Sequence, residues 1–113
     1  RLLKKETIFC ERVNGKFKLR RGFQIRRNSK VLIIEDVITT GKSSMECVKL
    51  INNAKAKLVG FASIIDRSSK TNLKIKKQIV SQIKIEVPTF KKEKLPTYLK
   101  STPITVPGSR FIK

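Results

Sequence analysis

The sequence predicts an α/β fold, a parallel sheet flanked by helices, and three observations point there. Val31-Leu32-Ile33-Ile34 are four apolar residues in succession. Such a run marks a strand buried on both faces, as in a parallel sheet. Behind it, Met45, Val48, Leu50, Ile51 and Ala54 recur at the spacing of an amphipathic helix. A second apolar run, KLVGFASII over 57–65, then closes a β-loop-α-β unit across 31–65, for which a right-handed crossover is expected.

The other elements follow in chain order. Residues 6–12, ETIFCER, carry Ile8 and Phe9 at their centre and read as a short strand. Residues 13–20 contain Asn14-Gly15, a strong turn dipeptide, and predict a cation-rich hairpin or loop. Gly22-Phe23-Gln24-Ile25 is the expected returning strand, and Asn28-Ser29 a turn. The helix is expected to end near Asn52-Asn53, and the strand over 57–65 to end at Asp66-Arg67-Ser68-Ser69. IVSQIKIEV over 79–87 alternates in part and predicts another strand. With Pro88, Pro96, Pro103 and Pro107, the remainder reads as an irregular tail holding a short helix around 91–100.

A chain of 113 residues is the size of one domain. Lys and Arg number 27 against 8 Asp and Glu, a net charge of +19, so the expected partners are anions. Histidine is absent, which removes His-based triads and most zinc sites. Cys10 and Cys47 form no C-x-x-C and support neither a disulfide framework nor a metal knuckle. A reducing cytoplasm is the simplest compartment for such cysteine usage. No apolar run approaches the ~20 residues that span a bilayer. The chain begins with Arg1 and its only methionine is Met45, so a processed or excerpted chain is expected.

The segment that carries chemistry is VLIIEDVITTGKSS, residues 31–44. An apolar strand runs into two adjacent carboxylates, Glu35 and Asp36, and a small-residue loop then leads into a helix. Backbone N–H groups of such a loop and of the helix N-terminus point at an anion. The hydroxyls of Thr39, Thr40, Ser43 and Ser44 add donors, and Gly41 permits close backbone approach. Carboxylates would repel a phosphate; they suit hydroxyls or a metal on the same ligand, such as a ribose diol. Gly41-Lys42-Ser43 invites a Walker A reading, which fails because position 36 is Asp where that motif needs Gly. A plain strand-turn-helix corner is the competing reading, but it has no need of Glu-Asp at a strand's carboxyl end, where open α/β sheets bind ligands.

This segment resembles the phosphoribosyl-pyrophosphate (PRPP) motif of type I phosphoribosyltransferases: apolar residues, two acids, two variable residues, then Thr-x-Gly-x-Ser/Thr. FCERVNGKFKLRRGF over 9–23 looks like the corresponding stretch of bacterial orotate phosphoribosyltransferases. Asp66-Arg67-Ser68, Glu86-Val87-Pro88-Thr89-Phe90 and Pro107-Gly108-Ser109-Arg110 resemble later segments of that family. Leu95-Pro96-Thr97-Tyr98 departs from it, since the family often has C-P-x-C there.

The resemblance runs in order along nearly the whole chain and covers the C-terminal part of a single phosphoribosyltransferase core domain, so residues 1–113 are read as lacking the N-terminal hood and the first core strand. Activity, and even stability, of these residues alone is not implied. What the resemblance implies is a Rossmann-like type I phosphoribosyltransferase fold, incomplete at the N-terminus, and transfer of the 5-phosphoribosyl group from PRPP to orotate. Lys16 and Asp36 would be catalytic. Arg12, Lys16, Glu35, Asp36, Val37, Ile38, Thr39, Thr40, Gly41, Lys42, Ser43 and Ser44 would bind PRPP. Within that set Glu35 and Asp36 would hold the ribose hydroxyls, directly or through Mg²⁺, and Thr39 to Ser44 would cradle the 5′-phosphate. Thr39 and Arg67 would bind orotate, Arg67 in a two-pronged contact to its carboxylate. Mg²⁺ would be held mainly by PRPP. A homodimer is implied, with the 12–21 loop reaching the partner's site.

Two alternatives stand beside this. A purine phosphoribosyltransferase shares the PRPP loop, but the 16–22 segment points to orotate. A PRPP-sensing regulator that binds nucleic acid would use the charge, yet no RNP, KH or helix-turn-helix signature is present, and no nucleic acid partner is expected. Lys74, Lys76, Lys77, Lys91, Lys92, Lys94 and Arg26-Arg27 read as solvated surface.

Overall fold

The computed structural model describes residues 3–69, 73–88 and 90–103. The expected Thr89 and Pro107–Arg110 segments therefore lie outside the described residues.

Asn14 and Gly15 both take positive φ, +49° and +77°, the backbone of a two-residue type I′ turn. They join β1 (Cys10–Val13) to β2 (Lys16–Leu19), paired antiparallel with Val13 opposite Lys16 and Cys10 opposite Leu19. The returning strand is thus β2 and not the expected 22–25. Arg21 and Gly22 are successive left-handed residues, which break extension there. The Phe23 N–H donates to the Arg20 carbonyl, and Phe23 packs edge-on against Phe9 at 5.0 Å.

Next come β3 (Lys30–Ile38), helix α1 (Lys42–Asn53) and β4 (Lys57–Asp66). β3 and β4 pair in parallel, and β4 pairs in parallel with β5 (Ile79–Lys84), giving the order β3-β4-β5. A 3-10 turn at Lys92–Lys94 and a single helical turn, α2 (Thr97–Lys100), occupy the region expected to hold a short helix.

Three strands differ in extent from the sequence reading. β1 starts at Cys10, so Ile8 and Phe9, the expected centre of that strand, precede it. β3 does not stop at Ile34, because its pairing with β4 continues to Ile38 opposite Asp66. β5 stops at Lys84, opposite Asp66, where β4 itself ends.

α1 lays Ser44, Cys47, Val48 and Ile51 toward the sheet, at the i, i+3, i+4, i+7 spacing of one helical face. Ile51 joins Ile33, Ile38, Phe61 and Ile75 in the buried core, with Val31, Met45, Leu58 and Ile79 packed around them. Ile33, Phe61 and Ile79 are register partners across the three strands, so the helix covers that face of the sheet. The same strands carry Leu32, Ile34, Ile64 and Val80 exposed on the alternate positions, and Val59 exposed at the register shift where β4 has one residue more than β3.

Candidate active site

The turn between β3 and α1 holds most of the residues singled out in the sequence. Val37 is half-buried and Ile38 is buried at the end of β3; Thr39, Thr40 and Lys42 are exposed, and Ser43 is half-buried. Gly41 sits at the helix N-cap with φ +69°. A Cβ there would meet Ile75 Cγ1 at 2.7 Å and Cδ1 at 2.8 Å. Glycine is therefore required twice, by backbone conformation and by space. α1 has no side-chain cap and no acid within its own first turn. Its first N–H groups lack intrahelical partners, and the positive end of its dipole lies beside the exposed hydroxyls of Thr39 and Thr40. The outer side of this turn can accept a phosphate.

The segment after β4 holds the turn from behind. The Arg67 N–H donates to the Ile38 carbonyl at 2.8 Å, and the Lys74 N–H to the Thr40 carbonyl at 2.9 Å. Both carbonyls are thereby drawn back, while the Lys42 N–H lies 3.4 Å from the Thr40 hydroxyl, to which it donates. Arg67 itself is exposed, on the same rim as Thr39. Asp66 is buried, and its Oδ1 accepts the Ser68 N–H at 2.8 Å, shaping the bend that carries Arg67.

The two acids separate. Because β3 runs through them, Glu35 and Asp36 fall on opposite faces of the strand. Glu35 turns toward α1, where it accepts a hydrogen bond from the Ser44 hydroxyl. Asp36 is exposed on the other face, and its Oδ1 accepts the Val37 N–H at 2.8 Å. Ser44 is fully buried and its hydroxyl is engaged by Glu35. Glu35 is half-buried against α1, and Asp36 is the solvent-facing carboxylate.

Among the described residues, no group of three or more Cys, Asp or Glu is placed to hold a metal ion. A magnesium ion that keeps its waters and substrate phosphates needs only one carboxylate from protein, which Asp36 can supply.

Lys16 is exposed at the start of β2, beside the hairpin turn. Arg12 is tied to its own chain. It pairs with Glu46 of α1 at 3.3 Å, donates to the Gly15 carbonyl, and lies 4.3 Å over the Phe17 ring. Glu11 pairs with Arg20 at 3.3 Å and Arg21 at 2.9 Å. The structure therefore brings Thr39, Thr40, Gly41, Lys42, Ser43, Asp36 and Arg67 to one end of the sheet, and holds Arg12 on the outside of α1.

Sequence reasoning missed Ile75 and Lys74, which brace the turn from a distant segment that carries no motif. It also missed the Cys10–Cys47 contact. Burial pushes the Cys47 thiol up to about 12, aided by Cys10, which faces it across a hydrogen bond, and by the Glu35 and Glu46 carboxylates. Both cysteines are free.

Comparison with known proteins gives the family. The family described as "Phosphoribosyl transferase domain" matches residues 4–101, and the chain belongs to it. Among curated relatives, the chain is 39% identical over 112 residues to the orotate phosphoribosyltransferase of Parvibaculum lavamentivorans, covering 99% of this chain and 57% of that protein. It is 41% identical over 106 residues to the orotate phosphoribosyltransferase of a Thermoanaerobacter species, covering 93% of this chain and 55% of that one. The chain thus spans about half the length of the curated relatives it matches. A solved adenine phosphoribosyltransferase from Leishmania tarentolae is similar at a TM-score of 0.47 and 22% identity, over 60% of this chain and 36% of that one.

Proposed function

We propose that the protein carrying these residues is an orotate phosphoribosyltransferase of pyrimidine biosynthesis. It moves the 5-phosphoribosyl group of PRPP onto orotate to give orotidine 5′-monophosphate and pyrophosphate. The observation that carries this reading is the Thr39–Ser44 turn, an uncapped helix head whose carbonyls are drawn back and whose outer side is open. The orotate phosphoribosyltransferases at 39% and 41% identity favour orotate over a purine base.

In this mechanism the turn binds the 5′-phosphate through N–H groups and the Thr39 and Thr40 hydroxyls. A ring nitrogen of orotate, its proton released to solvent, bonds to C1′ as the bond from C1′ to pyrophosphate breaks, the electron pair leaving with pyrophosphate. Positive charge develops on the ribose, and the exposed Asp36 carboxylate stabilises it. Glu35 acts through Ser44, holding the first turn of α1 against β3. Arg67 takes the orotate carboxylate, a planar match that lysine cannot reproduce. Lys16 stabilises the departing pyrophosphate, and Arg12 must leave Glu46 to join it. Magnesium, which Asp36 would help to hold, would neutralise part of the leaving group's charge.

The assembly is a homodimer in which the 12–21 hairpin serves the partner's site, and the setting is cytoplasmic. Among the described residues no helix is long and apolar enough to cross a membrane.

The test is pyrophosphate release by the protein carrying residues 1–113, given PRPP and Mg²⁺ with orotate, adenine or hypoxanthine. Turnover with orotate alone is expected. Turnover with a purine alone would transfer the assignment to that base, and turnover with none would reject transferase activity.

A further inference from the structure

Two free thiols meet where the hairpin lies against α1. Cys10 opens β1 and Cys47 sits in the second turn of α1, 37 positions along the chain. Both are half-buried, and they share a hydrogen bond. A second contact lies beside this one. Arg12, on the same side of β1 as Cys10, pairs at 3.3 Å with Glu46, the neighbour of Cys47. Cys47 also packs against the core, three residues beyond Ser44 on the same helix face. The hairpin ladder and the helix fix both backbones here, so regular elements rather than a loose loop hold the two sulfurs together. Phosphoribosyl transfer as described above uses neither thiol.

We propose that Cys10 and Cys47 are a peroxide-oxidisable pair whose disulfide fastens the hairpin to α1. In the cytoplasmic setting proposed above, disulfides are usually transient and redox-sensing. The oxidant is a hydroperoxide, small enough to reach a half-buried sulfur. Burial pushes the Cys47 thiol up to about 12, so Cys47 keeps its proton at neutral pH and the first attack belongs to Cys10. The Cys10 sulfur attacks one peroxide oxygen. An S–O bond forms, the O–O bond breaks, and the departing oxygen leaves as water with the Cys10 proton. The Cys47 sulfur then attacks the Cys10 sulfur. The S–S bond forms, the S–O bond breaks, and a second water carries away the Cys47 proton. Two thiols are oxidised to one disulfide, and one peroxide is reduced to water. The sulfurs are already in contact, so the second step needs no search for a partner. The disulfide holds Arg12 beside Glu46. On the proposed function Arg12 must leave Glu46, so the oxidised form is the less active one. The pairing of the thiols itself does not rest on orotate as the substrate.

To test this, the protein carrying residues 1–113 is treated with hydrogen peroxide at neutral pH and its mass is read without reductant. Loss of two hydrogens is expected, with peptides linked between Cys10 and Cys47 and full reversal by dithiothreitol. Cys47→Ala should leave a sulfenic acid on Cys10 that dimedone traps, and Cys10→Ala should leave the Cys47 thiol intact over the same time. Circular dichroism checks both variants, and the wild-type peptide map decides if either does not fold. In the oxidised protein, amide exchange across residues 10–19 should slow about tenfold. Orotate-dependent pyrophosphate release should fall about tenfold and return with dithiothreitol. Oxidised Cys10 with no link to Cys47 would overturn the proposal, as would a disulfide between two chains. So would a linked chain whose hairpin exchanges as fast as before, or one that keeps full turnover. A reduced protein with no turnover rejects the orotate reading instead, and mass and amide exchange then still decide on the pair.

Discussion

Gly15 and Gly41 both hold left-handed backbone, at φ +77° and +69°, yet they answer different needs. A Cβ on Gly15 meets nothing within 4 Å, so Gly15→Ala costs backbone conformation alone, about 1–2 kcal/mol. A Cβ on Gly41 drives into Ile75 as well. Gly41→Ala should therefore cost more, about 2–4 kcal/mol once the clash adds to the left-handed strain. Urea unfolding measures both. Ile75→Ala in the Gly41→Ala background should make the second substitution less costly than it is alone, because the space term is relieved while the φ term stays. Equal costs at the two glycines would remove Ile75 as the brace of the turn. Cys47 offers a pH test. Its thiol is raised from 9.0 to about 12, so the folded state holds the proton more tightly than the unfolded state does. That contribution to stability is complete below pH 9 and fades as pH rises toward 12. At pH 8, iodoacetamide should modify Cys47 more slowly in the native protein than in urea, as read by mass spectrometry. Between pH 9 and 11 the wild type should lose more stability than Cys47→Ala.

α1 ends on a left-handed residue that is not glycine. Lys55 has φ +55°, and the Ala56 N–H donates to the Ile51 carbonyl while the Lys55 N–H reaches Asn52. Such helix ends favour glycine at the left-handed position. Lys55→Gly should raise stability by about 1 kcal/mol, and unfolding that shows a loss would mean that the Lys55 side chain contributes more than its backbone strain costs. The same element shows how legible the fold was. The helix, the two apolar strands and the Asn14-Gly15 turn were readable because hydrophobic spacing and turn chemistry are local. The returning strand of the hairpin was not: GFQI over 22–25 looks extended, but the Arg21-Gly22 backbone and the Phe9–Phe23 contact decide against it. The end of β3 was also hidden, because Glu35 and Asp36 stay in the strand only through their pairing with β4. That extension split the two acids, so a motif legible as a pair became a half-buried carboxylate bonded to Ser44 and an exposed one.

Across the whole molecule, charge is distributed so that little of it is neutralised. The ion pairs among the described residues engage Glu6, Glu11 and Glu46, while Asp36 remains solvent-facing near the head of α1. A net +19 draws anionic ligands from a distance, but that attraction is screened beyond ~8 Å at physiological salt. On the proposed function, what specifies PRPP is the turn itself, so the most direct test locates the ligand. In the protein carrying residues 1–113, backbone amide signals are followed by NMR as PRPP and Mg²⁺ are added at physiological salt. The largest shifts should fall on Thr39 to Ser44, and Gly41→Ala should weaken binding at least tenfold. Saturable binding that leaves those amides unmoved and shifts the lysine-rich surface instead, or binding unaffected by Gly41→Ala, would contradict the assignment of the 5′-phosphate to this turn.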